Sequence, residues 1–148
     1  MQVLDPVSAI IKQKGAQIWS IAPNATVYDA LAVMADKEIG CLLVMDGNKL
    51  EGMLSERDYA RKVILRGRSS METRVDEIMI SAPITVLPDC SIDEALRIMT
   101  ESRVRHLPVI GTNGTVSGIV SIGDLVKWII TSHQETIEQL QTYIAGNS

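Results

Sequence analysis

The sequence predicts an α/β (α+β) fold made of two pseudo-symmetric β-α-β-β-α units packed through their sheets, with N- and C-terminal flanking helices. Three observations predict it. First, the chain repeats itself: Pro23, Ala30, Leu31, Met34, Leu42 and Val44 recur 65 positions later as Pro88, Ala95, Leu96, Met99, Leu107 and Val109. Gly52, Ser55 and Asp58 recur 66 positions later as Gly118, Ser121 and Asp124. Second, both copies open a helix with one hydroxyl-to-acid spacing. Third, both carry two short apolar runs separated by a Gly/Asn turn, the pattern of a β-hairpin.

In chain order, Val3, Leu4, Val7, Ile10 and Ile11 lie at helical spacing and the stripe stops at Gly15, so residues 1–16 read as a helical flank. The first unit, 17–67, begins with a β-rich stretch, Ile18 to Ile21. Thr26-Val27-Tyr28-Asp29 is a capping box, in which the hydroxyl takes an orphan N–H and the acid reaches back. It opens a helix with apolar Val27, Ala30, Leu31 and Met34. Cys41 to Met45 and Leu50 to Leu54 form the hairpin, and a second helix runs from about Ser55 to Arg66. Gly67-Arg68-Ser69-Ser70 leads into a linker, 68–82, with a short helix at Val75 to Met79. The second unit, 83–132, repeats the order: Ile84 to Leu87, then Ser91-Ile92-Asp93-Glu94 opening a helix, then His106 to Ile110 with Val116 to Val120, and a helix from Ser121 onward. That helix extends through 133–148 along Trp128, Ile129, Ile137, Leu140 and Ile144. The two flanks either pack on the chain's own surface or make a dimer contact. The one-residue slip between copies falls at Asp46-Gly47-Asn48 against Gly111-Thr112-Asn113-Gly114, turn compositions that tolerate insertion. A unit of about 50 residues is marginal alone, and two copies bury each other's open sheet face.

Composition narrows the function. The 148 residues are 46% apolar and 22% charged, which excludes a disordered or fibrous chain. A net charge of −4 argues against a dedicated nucleic-acid binder, since phosphate neutralisation dominates that affinity. The longest apolar run, Ile39 to Met45, is far below the ~20 residues a bilayer requires, and no signal pattern opens the chain. Two cysteines and two histidines supply neither a disulfide framework nor a zinc site, so a cytoplasmic protein without metal is expected.

The strongest match between copies is Gly52-Met53-Leu54-Ser55-Glu56-Arg57-Asp58 against Gly118-Ile119-Val120-Ser121-Ile122-Gly123-Asp124. The glycine permits close approach of a ligand or another backbone. The serine falls at a helix start, where free N–H groups favour an anion, and the aspartate can accept hydrogen bonds from a ribose diol. Ser-x-x-Asp is also a plain capping box, and both readings stand. Arg57 tips the balance toward a ligand, because a cation at a helix start opposes the dipole unless an anion arrives. The basic run Arg61, Lys62, Arg66, Arg68 and Arg74 is either a solvated face or an extension toward polyphosphate or nucleic acid. Tyr59 is its only nearby aromatic, which counts against single-strand binding.

With these motifs and Arg105-His106-Leu107-Pro108-Val109, residues 17 to 145 resemble a tandem pair of CBS domains, the cystathionine β-synthase type of module. The resemblance implies two CBS units with clefts between them for adenine nucleotides such as AMP, ATP, NAD or S-adenosylmethionine. It also implies a flat homodimer and a regulated protein partner. Carried over by position, Asp58 and Asp124 match ribose-binding aspartates, and Ser55 and Ser121 match phosphate-side hydroxyls. Ile18, Ser20, Ile84 and Thr85 match segments that hold adenine, and Arg105 and His106 match a region that contacts phosphate. The copies differ: Arg57 stands against Gly123, and Gly40-Cys41 against Arg105-His106. Arginine binds phosphate in a fixed bidentate fork, so two clefts of unequal anion affinity are expected, the Asp58 cleft being the more phosphate-demanding. The functional expectation is a non-enzymatic nucleotide sensor. The alternatives are a ligand-free dimerisation scaffold and a nucleotide-acting enzyme; for the latter, no nucleophile–base pair or lysine-bearing Gly-rich loop is present.

Overall fold

Residues 3–15 and 17–146 are described by a computed structural model. In chain order the elements are α1 (Val7–Lys14), β1 (Ser20–Ile21), α2 (Val27–Lys37), β2 (Cys41–Asp46), β3 (Lys49–Ser55) and α3 (Glu56–Tyr59). A π-helical turn (Ala60–Ile64) follows, then α4 (Val75–Ile78), β4 (Ile80–Ser81), α5 (Ile92–Ser102), β5 (His106–Ile110), β6 (Val116–Ser121) and α6 (Ile122–Gly146).

The repeated apolar positions become two repeated cores. Thr26 Oγ1 accepts the Asp29 N–H at 3.1 Å and starts α2, and Ser91 Oγ accepts the Glu94 N–H at 3.1 Å and starts α5. Each helix then buries one stripe: Val27, Ala30 and Met34, or Ile92, Ala95 and Met99. Both end on a left-handed residue, Glu38 and Arg103. The hairpins β2–β3 and β5–β6 are antiparallel, and their inward residues Leu42, Val44 and Leu54 match Leu107, Val109 and Val120. Side chains alternate across a strand, so the buried Cys41, Leu43 and Met53 lie on the other face, and Cys41 and Met53 border the clefts shared with the second unit.

The helices that precede the units are exchanged between them. Val3, Val7 and Ile10, ahead of the first unit, are buried in the second core with Ile92, Met99, Leu107 and Leu125. Val75 and Ile78, ahead of the second unit, are buried in the first core with Met34, Leu42 and Leu54. The backbone bonds repeat the swap. Val7 N–H donates to Cys90 O and Ser8 N–H to Pro88 O, while Val75 N–H donates to Ala25 O and Asp76 N–H to Pro23 O. Helices α1 and α4 are thus repeat mates, 68 positions apart. The N-terminal stripe packs on the chain itself, apart from Leu4, which is 70% exposed.

Some local expectations change. The stretch Ile84 to Leu87 forms no strand and keeps one parallel bridge, Val86 to Val109. In the first unit Leu43 N–H donates to Trp19 O, and the repeat counterpart of Leu43 is Pro108, which has no N–H to give Ile84 O. The helix expected over Ser55 to Arg66 is a short α3 that widens into the π turn. Within 68–82, β4 joins the first sheet beside β3, giving the order β1-β2-β3-β4. In α6, Trp128 and Ile129 pack on the second core, while Ile144 is exposed. The side chains of Ile137 and Leu140, and the flank positions 1, 2, 16, 147 and 148, lie outside the described residues.

Candidate functional site

Two clefts open between the units. The first, about 280 Å³, draws Ser55, Glu56, Arg57 and Asp58 from the start of α3, Arg61 from the π turn, Arg103, Val104 and Arg105 from the turn between α5 and β5, and His106 from the start of β5. Ile80 and Met53 add apolar lining. Asp58 is held by a full capping box: its Oδ2 accepts the Ser55 N–H at 3.0 Å and the Ser55 hydroxyl at 2.9 Å, and its own N–H donates to Ser55 Oγ. Lys62 Nζ lies 3.6 Å from Asp58 Oδ1 but is not part of the cleft lining.

The second cleft, about 420 Å³, brings Gly118, Ile119, Ser121 and Asp124 of the second unit against Trp19, Glu38, Ile39, Gly40 and Cys41 of the first, with Ile11 and Lys14 of α1 at its side. Asp124 Oδ2 accepts the Ser121 N–H at 2.8 Å and Lys14 Nζ at 2.8 Å. Burial alone raises this carboxyl, but the hydrogen bonds from Lys14 and the Ser121 N–H outweigh it and hold the group below the ordinary carboxylate range. Gly40 and His106 border both clefts. Burial lowers the His106 pKa, so the ring is neutral near pH 7. Burial, followed by the charge of Asp58, pushes the Cys41 thiol up to about 12, which removes it as a nucleophile.

The clefts differ in charge. Arg57, Arg61, Arg103 and Arg105 face the first against two carboxylates, Glu56 and Asp58. Among the described residues none of these four arginines pairs with a carboxylate, whereas Arg68, Arg74 and Arg97 elsewhere each do. The second cleft has Lys14 against Glu38 and Asp124.

The structure therefore gathers Ser55, Arg57, Asp58, Arg105 and His106 in one cleft and Ser121, Asp124 and His106 in the other. Ile18, Ser20, Ile84 and Thr85 line neither; all four are exposed. Trp19 lines the second cleft in place of Ile18 and Ser20, since neighbouring residues of an extended chain face opposite ways, and Ile80 of β4 lines the first. Sequence reasoning passed over Lys14, Glu38, Arg61 as a cleft residue, and Arg103. The repeat contained a signal for two of them: Glu38 and Arg103 stand 65 apart, both left-handed helix ends, one in each cleft and opposite in charge.

Both glycines of the repeated motif meet a neighbour from an exchanged segment. A Cβ on Gly52 would lie 2.6 Å from Ile80 O and 2.7 Å from Met79 Sδ, and one on Gly118 would lie 2.9 Å from Ile11 Cδ1. Met79 and Ile11 are again 68 apart. Among the described residues no helix is long and apolar enough to cross a membrane, and no His, Cys, Asp and Glu group is arranged to hold a metal ion.

Comparison with known proteins agrees with this architecture. The CBS domain family matches residues 10–65 and again 75–131. The chain is 39% identical over 150 residues to the Arabidopsis thaliana CBS domain-containing protein CBSX3, mitochondrial, which spans 95% of this chain and 72% of that one. A solved protein with CBS domains from Burkholderia ambifaria superposes with a TM-score of 0.81 at 49% identity, covering 85% of this chain and 94% of that one. A CBS domain protein of Pyrobaculum aerophilum, solved in complex with AMP, shares the fold with a TM-score of 0.72 at 24% identity, covering 80% and 88%.

Proposed function

The chain belongs to the CBS-domain family, and from that membership we propose that it is a non-enzymatic regulatory module binding adenine nucleotides of the AMP, ATP or NAD type in its two inter-unit clefts. Asp58 and Asp124 accept the ribose hydroxyls. Arg57 and Arg105, helped by Arg61 and Arg103, take the phosphates in the Asp58 cleft. The observation that carries the reading is the set of four arginines, unpaired with carboxylates among the described residues, converging on one cleft. Unpaired cations held together repel one another, and an anion relieves that repulsion. The Pyrobaculum aerophilum protein of the same fold holds AMP, which makes AMP the first ligand to try.

Each cleft has one wall from each unit, so a nucleotide that draws the walls together changes how the units sit. Occupancy becomes a signal only through that difference in affinity between arrangements. The output passes to a partner protein through a homodimer. The surface for that dimer is the apolar stripe Ile122, Val126 and Ile130 on α6 with its repeat counterpart Ile64, and Leu65 beside it, all exposed.

The test is a thermal-shift panel with AMP, ADP, ATP, NAD and S-adenosylmethionine, repeated on Asp58→Ala and Asp124→Ala. A ligand at a hundred times its Kd adds about 2.7 kcal/mol. ATP should lose most in Asp58→Ala; equal losses in both variants would sink the asymmetry. A ligand-free scaffold is the second reading, favoured by the Ser55–Asp58 cap, which satisfies itself without a ligand. No shift with any of the five ligands would establish that reading instead.

A further inference from the structure

The ion pair of Lys14 and Asp124 sits inside the larger cleft and joins α1 to the second unit. Lys14 Nζ donates to Asp124 Oδ2 at 2.8 Å and to Ile119 O at 3.2 Å. An ammonium has three donors, so one N–H is left, and the side chain, 43% exposed, faces the cleft. The same pair also borders a cavity of about 220 Å³ between α1 and α6, so it forms the wall between two spaces. By the 68-residue repeat of the exchanged segments, Lys14 corresponds to Ala82, and the Asp58 cleft has no cation at that place. Its arginines come from α3, the π turn and the α5–β5 turn. Lys14 is therefore the sole lysine or arginine lining the Asp124 cleft among the described residues, against two carboxylates.

Resting on the adenine-nucleotide reading above, we propose that Lys14 is a specificity-determining residue that makes the Asp124 cleft a nucleoside monophosphate site. Its remaining N–H binds one phosphate group while Asp124, partly neutralised, still accepts from the ribose. A second or third phosphate finds no further cation here and meets Glu38 and Asp124. The two clefts then sort one class of ligand by charge, polyphosphate to the arginines and monophosphate to Lys14.

The experiment is calorimetric titration of AMP, ATP and adenosine in an Asp58→Asn background, an isosteric change that weakens the other cleft. With Lys14 intact, AMP binds more tightly than ATP. Lys14→Met loses about tenfold in AMP affinity, the size of one charge-assisted hydrogen bond, and leaves adenosine within about twofold. Lys14→Arg retains AMP. Equal weakening of AMP and adenosine would mean that Lys14 only props Asp124, and tighter AMP binding in Lys14→Met would make it an obstacle; either overturns the proposal alone. Absence of AMP and adenosine binding with Lys14 intact overturns the reading of the cleft together with it.

Discussion

A methyl group is enough to test how closely the exchanged segments approach the sheets. At Gly52 the obstruction is partly the backbone oxygen of Ile80, which cannot rotate away; at Gly118 it is the flexible end of Ile11. Gly52→Ala should therefore destabilise by about 1–3 kcal/mol, the range for overpacking, and by more than any cost of contact at Gly118. Gly118 has φ +157, a conformation that L side chains rarely adopt, so Gly118→Ala is strained through the backbone as well as by contact. Urea unfolding of both variants checks this: both should lose stability, and an unchanged midpoint for Gly52→Ala would refute the close approach. His106 gives a second residue-scale test. Burial puts its pKa below the ordinary 6.5 in the folded state. The unfolded chain then binds more protons below that pH, so stability rises with pH. It is complete above about pH 6.5 and declines as pH falls toward the lowered value. His106→Gln should flatten the fall of the melting temperature as pH drops below about 6.5; an unchanged slope would assign the decline to other groups.

Among elements, the exchange of α1 and α4 makes a prediction that runs against sequence proximity. Ile10 is 3% exposed and Ile78 2% exposed, each in the core of the unit it does not precede. Ile10→Ala and Ile78→Ala should each cost about 2–5 kcal/mol. Hydrogen exchange should show Ile10→Ala loosening α5, β5 and β6, and Ile78→Ala loosening α2, β2 and β3. Loosening of the sequence-adjacent unit first would contradict the exchange. The N-cap hydroxyls of Thr26 and Ser91, the stripes of α2 and α5 and both hairpins were legible because local chemistry and burial agree there. The exchange was not, because α1 and α4 repeat at 68 while the rest repeats at 65 or 66, and Val7/Val75 and Ile10/Ile78 are too few matches to announce it. The strand expected at Ile84 failed for a reason in the facing strand β5, where Pro108 lacks the N–H that Leu43 supplies in the first unit.

For the molecule as a whole, the net charge of −4 conceals a division of sign between the clefts. The aspartates and serines of the site could be read from the repeated motif. Which cleft each arginine enters could not, because Arg103 and Arg105 reach Asp58 only through the packing of two units. Four cations converging on one opening predict that ATP affinity falls steeply between low and physiological salt, and that Arg57→Ala with Arg105→Ala removes most of that dependence. Equal salt slopes for the double variant and the unsubstituted protein would contradict it. Because each unit's core contains the other's leading helix, the chain should also unfold in one transition by every probe.

The exchange sets an order for synthesis as well. The first unit cannot close its core on the ribosome until Val75 and Ile78 have emerged, when the second unit has already begun. Helix α1 leaves first and is seated last, since its partners Val120 and Leu125 lie near the other end of the second unit. Through that interval Val7 and Ile10 have no core to enter, which makes α1 the segment of the nascent chain most dependent on protection from premature contacts.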